Sequence, residues 1–290
     1  MYDRLLIPTD GSAPAAAAGE AAVALASQFG AELHVVYVQR LEDLPFGFDE
    51  VPEEVTDRTR TAVDDIADRA AAADVEATTA VLETEEAVHE TILSYAAEHA
   101  IDAIVMGTHG RSGISRAVLG SVTERTVRHA PIPVVTITEE MVVDGPFESI
   151  LVPTDGSECA QTAVAHGIEL ALATGASLQF VNVVDIGMVA GDVDAGRVLD
   201  ALEESGQRAV DRAIAQAEDA GVETVEATVL NGTPSQAICD YARERDVDCI
   251  VMGTHGRGGL KRLFLGSVTE RVIRTGVAPV VTTQSREREE

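Results

Sequence analysis

The chain has 290 residues, of which 46% are hydrophobic and 24% are charged, and its formal net charge is −28. This composition is typical of a globular protein long enough for two ordinary domains. So negative a chain lacks the basic face that a general nucleic-acid surface or an acidic lipid surface requires. No apolar run approaches the roughly 18 residues of a membrane-spanning helix, and the N-terminus has no pattern of a secretion signal.

Taken in order, the sequence predicts five strands that alternate with four helices, and then the same series again. In the first half the predicted strands are residues 4–8, 32–38, 75–82, 101–106 and 133–137, and the predicted helices are residues 12–29, 53–73, 85–99 and 121–129. In the second half the predicted strands are residues 149–153, 177–184, 223–230, 247–252 and 279–283. This alternation indicates an α/β fold with two doubly wound parallel sheets, in domains at residues 1–140 and 147–284.

A short acidic motif ends the first strand of each half. It reads Pro8-Thr9-Asp10-Gly11-Ser12 in the first half and Pro153-Thr154-Asp155-Gly156-Ser157 in the second. Ligands of open α/β sheets bind at the carboxyl ends of the strands, where an aspartate can accept hydrogen bonds from a ribose hydroxyl or an adenine amine. The alternative is that an Asp-Gly pair only forms a turn.

A glycine loop follows the fourth strand of each half. The copies read Met106-Gly107-Thr108-His109-Gly110-Arg111, continuing to Gly120-Ser121-Val122, and Met252-Gly253-Thr254-His255-Gly256-Arg257, continuing to Gly266-Ser267-Val268. Glycines allow a sharp turn and a close backbone approach to a ligand, and a helix N-terminus offers N–H groups to phosphate. Alternatively, Ser121 and Ser267 only cap their helices, because each begins a Ser-x-x-Glu capping box.

Four charged or titratable side chains of these loops have two interpretations each. His109 and His255 either contact phosphate or ribose or contribute only their backbone N–H groups. Arg111 and Arg257 either pair with phosphate or lie solvated on the surface. We find no catalytic triad, no Walker-type P-loop and no kinase signature. The three cysteines lack metal-ligand spacing, which favours buried thiols in a reducing cytoplasm.

With both motifs present twice, the chain resembles a tandem member of the universal stress protein family. Both loops match that family's nucleotide pattern G-x2-G-x9-G-[ST] in full. The resemblance implies a Rossmann-like, adenine nucleotide alpha hydrolase-like sheet of order 3-2-1-4-5 in each half. In that order strands one and four are neighbours, which brings Asp10 opposite the glycine loop. The resemblance also implies ATP as the ligand there, with or without Mg²⁺, because members of the family bind it at this place.

The resemblance implies two sets of nucleotide-binding residues. The first set is Pro8, Thr9, Asp10, Val38, Met106, Gly107, His109, Gly110, Arg111, Gly120, Ser121 and Val122. The second set is Pro153, Thr154, Asp155, Val183, Met252, Gly253, His255, Gly256, Arg257, Gly266, Ser267 and Val268. The family's fifth strands dimerise, so the halves are expected to pair within the chain as a pseudo-dimer, and a homodimer of chains is a further option. The expected function is nucleotide-dependent sensing or regulation in a stress response. A slow ATPase or phosphotransferase is one alternative, and an interaction module with a vestigial site is another.

The loops after the third strands differ between the halves. The first half has Glu83-Thr84-Glu85-Glu86 there, and the second has Asn231-Gly232-Thr233-Pro234, as the family usually does. If this loop borders the nucleotide, its carboxylates repel phosphate in the first half. We therefore expect the second half to bind more tightly.

The high carboxylate content predicts adaptation to high ionic strength, because salt screens the self-repulsion of surface charges. We expect the unfolding midpoint of the chain to rise as KCl is increased from millimolar to molar concentration. Thermal unfolding at a series of KCl concentrations measures this effect. A midpoint that does not change with salt would show that the acidic surface is no such adaptation.

Overall fold

The structure is a computed structural model, and it describes residues 1–41, 53–108, 119–143, 145–188, 195–256 and 265–285. The chain consists of two compact units, Met1–Pro146 and Phe147–Glu290. Across the described residues, no helix combines the length and the apolar character needed to cross a membrane.

Each unit alternates strands and helices. The elements of unit 1 are β1 (Arg4–Pro8), α1 (Ala13–Phe29), β2 (Glu32–Arg40), α2 (Glu53–Ala72), β3 (Ala77–Thr84), α3 (Val88–Glu98), β4 (Ala103–Gly107), α4 (Ser121–His129) and β5 (Val134–Ile137). The elements of unit 2 are β6 (Ser149–Pro153), α5 (Glu158–Thr174), β7 (Ser177–Val184), α6 (Ala195–Ala220), β8 (Val225–Asn231), α7 (Pro234–Glu244), β9 (Cys249–Gly253), α8 (Ser267–Thr275) and β10 (Val280–Thr283).

All strand pairs within each unit are parallel. In unit 1, β1 pairs with both β2 and β4, and β3 and β5 lie outside them, which gives the order β3-β2-β1-β4-β5. Unit 2 has the matching order β8-β7-β6-β9-β10. The predicted α/β fold is confirmed. In both units the strand order reverses between the first and the fourth strand, and this reversal opens a crevice at the carboxyl edge of the sheet.

Helices cover both faces of the unit 1 sheet. α1 packs against α2 on one face, and α3 packs against α4 on the other. The small residues of α1 permit this packing, since a Cβ atom on Gly19 would lie 2.8 Å from Ile66 of α2. The middle of β1 (Leu5, Leu6 and Ile7) is fully buried between the two helical layers.

The predicted ends of the first helix of unit 1 are confirmed, and the first helix of unit 2 begins and ends in the same way. Ser12 caps α1 and Ser157 caps α5, and each serine hydroxyl accepts a hydrogen bond from the N–H group three residues later. Gly30 and Gly175 end these helices with φ angles of 66° and 75°. A glycine adopts this left-handed conformation without steric cost, which explains why the helices stop there.

Predicted boundaries of β2, β3 and α3 in unit 1 are wrong by two or three residues. β3 was predicted over 75–82 but begins at Ala77 and extends to Thr84, because Val75 still completes the turn that ends α2 through a hydrogen bond from its N–H group to the Ala70 carbonyl. α3 was predicted over 85–99 but begins at Val88. β2 was predicted to end at residue 38 and continues to Arg40, where it still pairs with Thr84. Most of the predicted loop at 39–52 lies outside the described residues.

A buried histidine lies near the amino ends of the strands in unit 1. His34 of β2 is 4% exposed, and its Nδ1 atom lies 3.0 Å from the Tyr95 hydroxyl of α3. Its Nε2 atom lies 3.4 Å from Glu32 Oε1, in a geometry that satisfies no hydrogen bond. The His99 ring stacks on the Tyr95 ring at a centroid distance of 3.8 Å. Burial lowers the pKa of His34 more than the nearby Glu32 carboxylate raises it.

This histidine makes the stability of unit 1 sensitive to acid. The pKa of His34 is lower in the folded chain than the ordinary histidine value of 6.5, so the unfolded chain binds its proton first. The contribution of His34 to stability is therefore fully present above about pH 6.5 and is lost as the pH falls toward the folded-state pKa. The corresponding position in unit 2 is occupied by Gln179, which pairs with Leu151 as His34 pairs with Leu6. A glutamine side chain does not titrate.

We expect His34→Gln to reduce the loss of unfolding free energy between pH 7.5 and 5. Urea unfolding of the full chain at several pH values measures this loss. The other histidines, including His166 with its pKa lowered to about 4 by burial, stay in both proteins. The difference between the wild type and His34→Gln in how steeply the unfolding free energy falls with pH therefore isolates His34. An equal fall in both proteins would contradict the prediction.

Candidate functional site

The strand-end aspartates form turns. Asp10 Oδ1 accepts a hydrogen bond of 3.0 Å from the Ser12 N–H group, and Asp155 Oδ1 accepts one of 2.9 Å from the Ser157 N–H group. Both aspartates are half-buried at the carboxyl edge. The turn interpretation is therefore correct for one carboxylate oxygen, and it fixes the direction of the other.

The first glycine of each loop lets the fourth strand approach the first helix. A Cβ atom on Gly107 would lie 2.6 Å from the Pro14 carbonyl oxygen, and one on Gly253 would lie 2.9 Å from both the Cys159 carbonyl oxygen and its Sγ atom. No side chain fits in that space, because real Cβ contacts do not fall below about 3 Å. Contact with the first helix is thus a further role of these glycines, beyond the sharp turn and the approach to a ligand that the sequence predicts.

The second glycine brings the two motifs together in unit 2. A Cβ atom on Gly256 would lie 2.8 Å from Asp155 Oδ2, the carboxylate oxygen that does not bond to Ser157. The strand-end aspartate and the glycine loop, about a hundred residues apart in sequence, are thus in contact. In unit 1 the matching Gly110 lies outside the described residues, together with His109 and Arg111. In unit 2, Arg257 lies outside them as well.

The third glycine begins the helix after the loop. The Gly120 N–H group donates to the Thr108 carbonyl, and the Gly266 N–H group donates to the Thr254 carbonyl, each at 2.8 Å. Gly120 and Gly266 are the N-cap residues, and neither cap has a side-chain hydrogen bond. The predicted capping boxes are therefore wrong, since the serines stand one position too late to cap.

The serines after these glycines are exposed at the start of the helix. Ser121 and Ser267 occupy the first helical position of α4 and α8, and their side chains face solvent. Without a capping side chain, the first N–H groups of each helix keep the positive end of the helix dipole available to an anion.

Two pairs of threonines support the loop, and the sequence analysis did not identify them. Thr123 Oγ1 donates to the Gly107 carbonyl at 2.7 Å, and Thr269 Oγ1 donates to the Gly253 carbonyl at 2.8 Å. Thr108 and Thr254 are each 1% exposed. Their N–H groups extend the sheet by donating to the carbonyls of the last residues of β5 and β10. The exact repetition of Gly-Thr and Val-Thr-Glu in both halves was the signal that could have identified them.

The remaining predicted residues line the same carboxyl edge. The Thr9 N–H group donates to the Val36 carbonyl, and the Thr154 N–H group donates to the Val181 carbonyl, so each first strand is paired to its end. Val38 and Val183 lie two residues further along β2 and β7, half-buried. The other residues of the predicted sets at this edge are Pro8, Met106, Val122, Pro153, Met252 and Val268.

The loops after the third strands border the second strands. In unit 2, the Gly232 N–H group donates to the Val184 carbonyl, and Asn231 Nδ2 donates to Glu203. In unit 1, Thr84 closes the β3 ladder, and Glu85 and Glu86 follow it with exposed side chains. The predicted difference in charge therefore begins one residue beyond Val38 and Val183, where Glu83 pairs with Gln39 in unit 1 and Asn231 pairs with Val184 in unit 2.

A cleft opens beside the first-strand motif of unit 1. It has a volume of about 330 Å³ and lies between α1 and α2, next to Thr9 and Gly11. Asp57 and Asp65 of α2 contribute carboxylates to its wall. Arg69 lies in the same wall and pairs with Glu20. Because the charge of Arg69 is engaged, the two carboxylates disfavour phosphate in this cleft relative to the glycine loop.

His255 lies between the loop glycines of unit 2. Its Nδ1 atom lies 2.9 Å from Thr254 Oγ1, and its buried Nε2 atom has no hydrogen-bond partner among the described residues. In that part of the chain, no three His, Cys, Asp or Glu side chains come together in a group that could hold a metal ion. The arrangement can therefore accept hydrogen bonds through the aspartate and bind an anion through the loop.

Comparison with known proteins gives matches along both halves of the chain. The sequence model of the universal stress protein family matches residues 1–138 and 146–284. The chain is 35% identical over 146 residues to universal stress protein MJ0531 of Methanocaldococcus jannaschii, which covers 49% of this chain and 85% of that protein. It is 26% identical over 204 residues to a universal stress protein of Mycolicibacterium smegmatis, which covers 69% of this chain and 67% of that protein.

A solved structure matches nearly the whole chain. The crystal structure of a universal stress protein from Archaeoglobus fulgidus superimposes with a TM-score of 0.73 at 25% identity, and it covers 98% of this chain and 99% of that one. The two family matches account for both βα units, with the paired aspartate and glycine motifs in each. The chain therefore belongs to the universal stress protein family, with two copies of the family's domain in tandem.

Proposed function

We propose that each unit binds ATP at the carboxyl edge of its sheet, and that binding regulates the protein in a stress response. The observation that supports this most strongly is the contact between Gly256 and the Asp155 carboxylate. It joins a hydrogen-bond acceptor suited to ribose or adenine with a loop suited to phosphate. Membership of the family adds to this support, since the glycine loop matches the family's nucleotide pattern in both units.

The charges and free N–H groups of the site suggest how ATP is oriented. The phosphates lie on the glycine loop and the first turn of α4 or α8, where the helix starts have no capping side chain. The ribose and adenine lie toward Asp10 and Val38, or Asp155 and Val183. A Mg²⁺ ion would enter with the phosphates, since the described residues offer no cluster of ligands for it.

Sensing fits the site better than catalysis. ATP hydrolysis or phosphate transfer needs a positioned base or strong stabilisation of the transition state. At the described edge of unit 2, the carboxylate of Asp155 is engaged by the Ser157 N–H group and packed against Gly256. This arrangement suits a binding contact, and we propose regulation through bound ATP as the function of both units.

We expect Asp10→Asn and Asp155→Asn each to remove one of two ATP sites per chain. In unit 2, asparagine keeps an oxygen for the Ser157 N–H group and replaces Oδ2 with a donor, so the turn persists while the acceptor is lost. Loss of a charged hydrogen bond lowers affinity by about tenfold to a hundredfold. Isothermal titration calorimetry of the full chain with ATP measures stoichiometry and affinity for the wild type and both variants. Two unchanged sites in both variants would contradict the proposal.

The same titrations compare the two units. We expect the site that remains in Asp10→Asn, in unit 2, to be tighter than the site that remains in Asp155→Asn, in unit 1. The cause is the acidic loop of unit 1, so adding Glu85→Gln and Glu86→Gln to Asp155→Asn raises the affinity of the remaining site at low salt. A tighter site in Asp155→Asn would refute the proposed order of affinities.

The fifth strands support a further part of the proposal, which is that the two units pair through β5 and β10. Both strands are four residues long and buried, and each begins with two valines. We expect the double variant Val135→Cys and Val281→Cys to form a disulfide within one chain on mild oxidation, because such a bond requires Cα atoms within about 7 Å. Mass spectrometry identifies the crosslink, and the two single variants are the controls. Crosslinks only between chains would contradict pairing within the chain.

We also propose a cytoplasmic location. The support is that Cys159, Cys239 and Cys249 are all buried as free thiols, which suits a reducing compartment. Fractionation of the cells that produce the protein tests this location.

A further inference from the structure

The starting point is a buried ring nitrogen without a partner in unit 2. His255 Nε2 is shielded from solvent and has no hydrogen-bond partner among the described residues. A buried polar atom without a partner loses its hydration and gains nothing in return. If a bound ligand supplies the missing hydrogen-bond partner of Nε2, ligand binding removes this cost.

The surroundings of this histidine belong to the proposed nucleotide site. His255 directly precedes Gly256, which packs against Asp155 Oδ2. On its other side, a Cβ atom on Gly266 would lie 3.5 Å from the His255 Cα atom, so the start of α8 is equally close. The backbone of His255 therefore lies between the glycine that meets the carboxylate and the glycine that begins α8.

Thr254 holds the other ring nitrogen in place. Its N–H group donates to the Thr283 carbonyl at 3.0 Å, and its own carbonyl accepts from the Gly266 N–H group at 2.8 Å. The side chain is 1% exposed, and Oγ1 lies 2.9 Å from His255 Nδ1. Two backbone hydrogen bonds thus hold Thr254 in place, and the contact of its hydroxyl with Nδ1 orients the His255 ring.

The chemistry of the neighbours decides which atom carries the proton. Besides His255 Nδ1, the Thr254 hydroxyl is close to Cys159 Sγ, at 3.8 Å, and this thiol donates to the Thr283 carbonyl at 3.6 Å. Sulfur is a weak acceptor and an imidazole nitrogen is a strong one, which favours donation from the hydroxyl to Nδ1. The neutral ring then carries its proton on Nε2, the buried atom without a partner.

We propose that Thr254 is a positioning residue that holds His255 in the Nε2–H tautomer, so that the ring donates a hydrogen bond to the phosphate chain of the bound nucleotide. This inference rests on the proposed function of the same site. In this arrangement the His255 ring provides a neutral hydrogen-bond donor to phosphate, in addition to the N–H groups of the helix start and of the glycine loop. In unit 1, Thr108 is as deeply buried, but Pro14 stands where Cys159 stands in unit 2. The contact between a cysteine thiol and the threonine hydroxyl is thus a feature of unit 2 that Pro14 cannot provide in unit 1.

Two threonine variants separate the hydroxyl from the shape of the side chain. Thr254→Val keeps the volume and removes the hydroxyl, whereas Thr254→Ser keeps the hydroxyl. In the Asp10→Asn background, which leaves unit 2 as the ATP site, we expect Thr254→Val to weaken ATP binding about tenfold, the size of one hydrogen bond to a charged group. Thr254→Ser stays within about twofold, and neither change alters the binding of adenosine, which has no phosphate.

A second readout does not depend on ATP. Nitrogen-15 NMR of the histidine rings in the full chain distinguishes the two tautomers, and we expect an Nε2–H ring for His255 in the wild type and a mixture in Thr254→Val. At position 255 itself, His255→Gln keeps a donor near Nε2 and retains most of the ATP affinity, while His255→Asn places its donor near Nδ1 and does not.

Each result decides the inference. Equal ATP affinities for Thr254→Val and Thr254→Ser would overturn it while leaving the proposed function intact, as would an Nδ1–H ring in the wild type. A loss of ATP and adenosine binding together would also overturn it, because it would show a structural role for Thr254. A wild-type chain that binds no ATP would overturn both the inference and the proposed function.

Discussion

The close approach of the fourth strand to the first helix is the constraint on which each site depends. At Gly107 and at Gly253 the strand end lies so near the first turn of α1 or α5 that a single methyl group would not fit. Because that turn directly follows the strand-end aspartate, this contact fixes the distance between the aspartate and the glycine loop. The Thr123 and Thr269 hydroxyls then hold the carbonyls of the same glycines. The first glycine serves the site indirectly, through the packing that aligns the two motifs.

The sequence predicted the parts of this arrangement that repeat and that follow simple periodicity. Strand and helix order and the limits of the first helix, near Ser12 and Phe29, could be predicted because local chemistry determines them. The strand order required the family resemblance, since no local pattern states which strands pair. The role of Gly107 could not be predicted, because it depends on Pro14, which meets it only in the folded sheet. The exact limits of the domains, at residues 140 and 147, stay a prediction.

The wrong predictions of the capping boxes and of the end of β3 have a common physical cause. A Ser-x-x-Glu sequence is consistent with a capping box, but tertiary structure decides which residue is the N-cap. Here the Gly120 N–H group is bound to the Thr108 carbonyl, so the glycine takes the cap position and the serine moves into the helix. In the same way, β3 extends to Thr84 because it continues to pair with Arg40, although acidic residues surround its end.

The two units share a scaffold and differ at three places that affect its chemistry. Unit 1 has the titratable His34 where unit 2 has Gln179, and Pro14 where unit 2 has Cys159. The loops after β3 and β8 differ in charge beside the second strand. These differences leave the glycine and aspartate framework unchanged, and they suit one binding chemistry with two affinities and two sensitivities to solution conditions.

The central claim is that the chain holds ATP, and the most direct measurement is the identity of the nucleotide that copurifies with it. The purified protein is denatured, and the released small molecules are separated and identified by mass spectrometry. The account predicts ATP, in an amount that approaches two molecules per chain when both sites are filled. ADP accompanied by phosphate release on addition of ATP would instead indicate hydrolysis. A chain that releases no nucleotide and fails to bind added ATP would contradict the account.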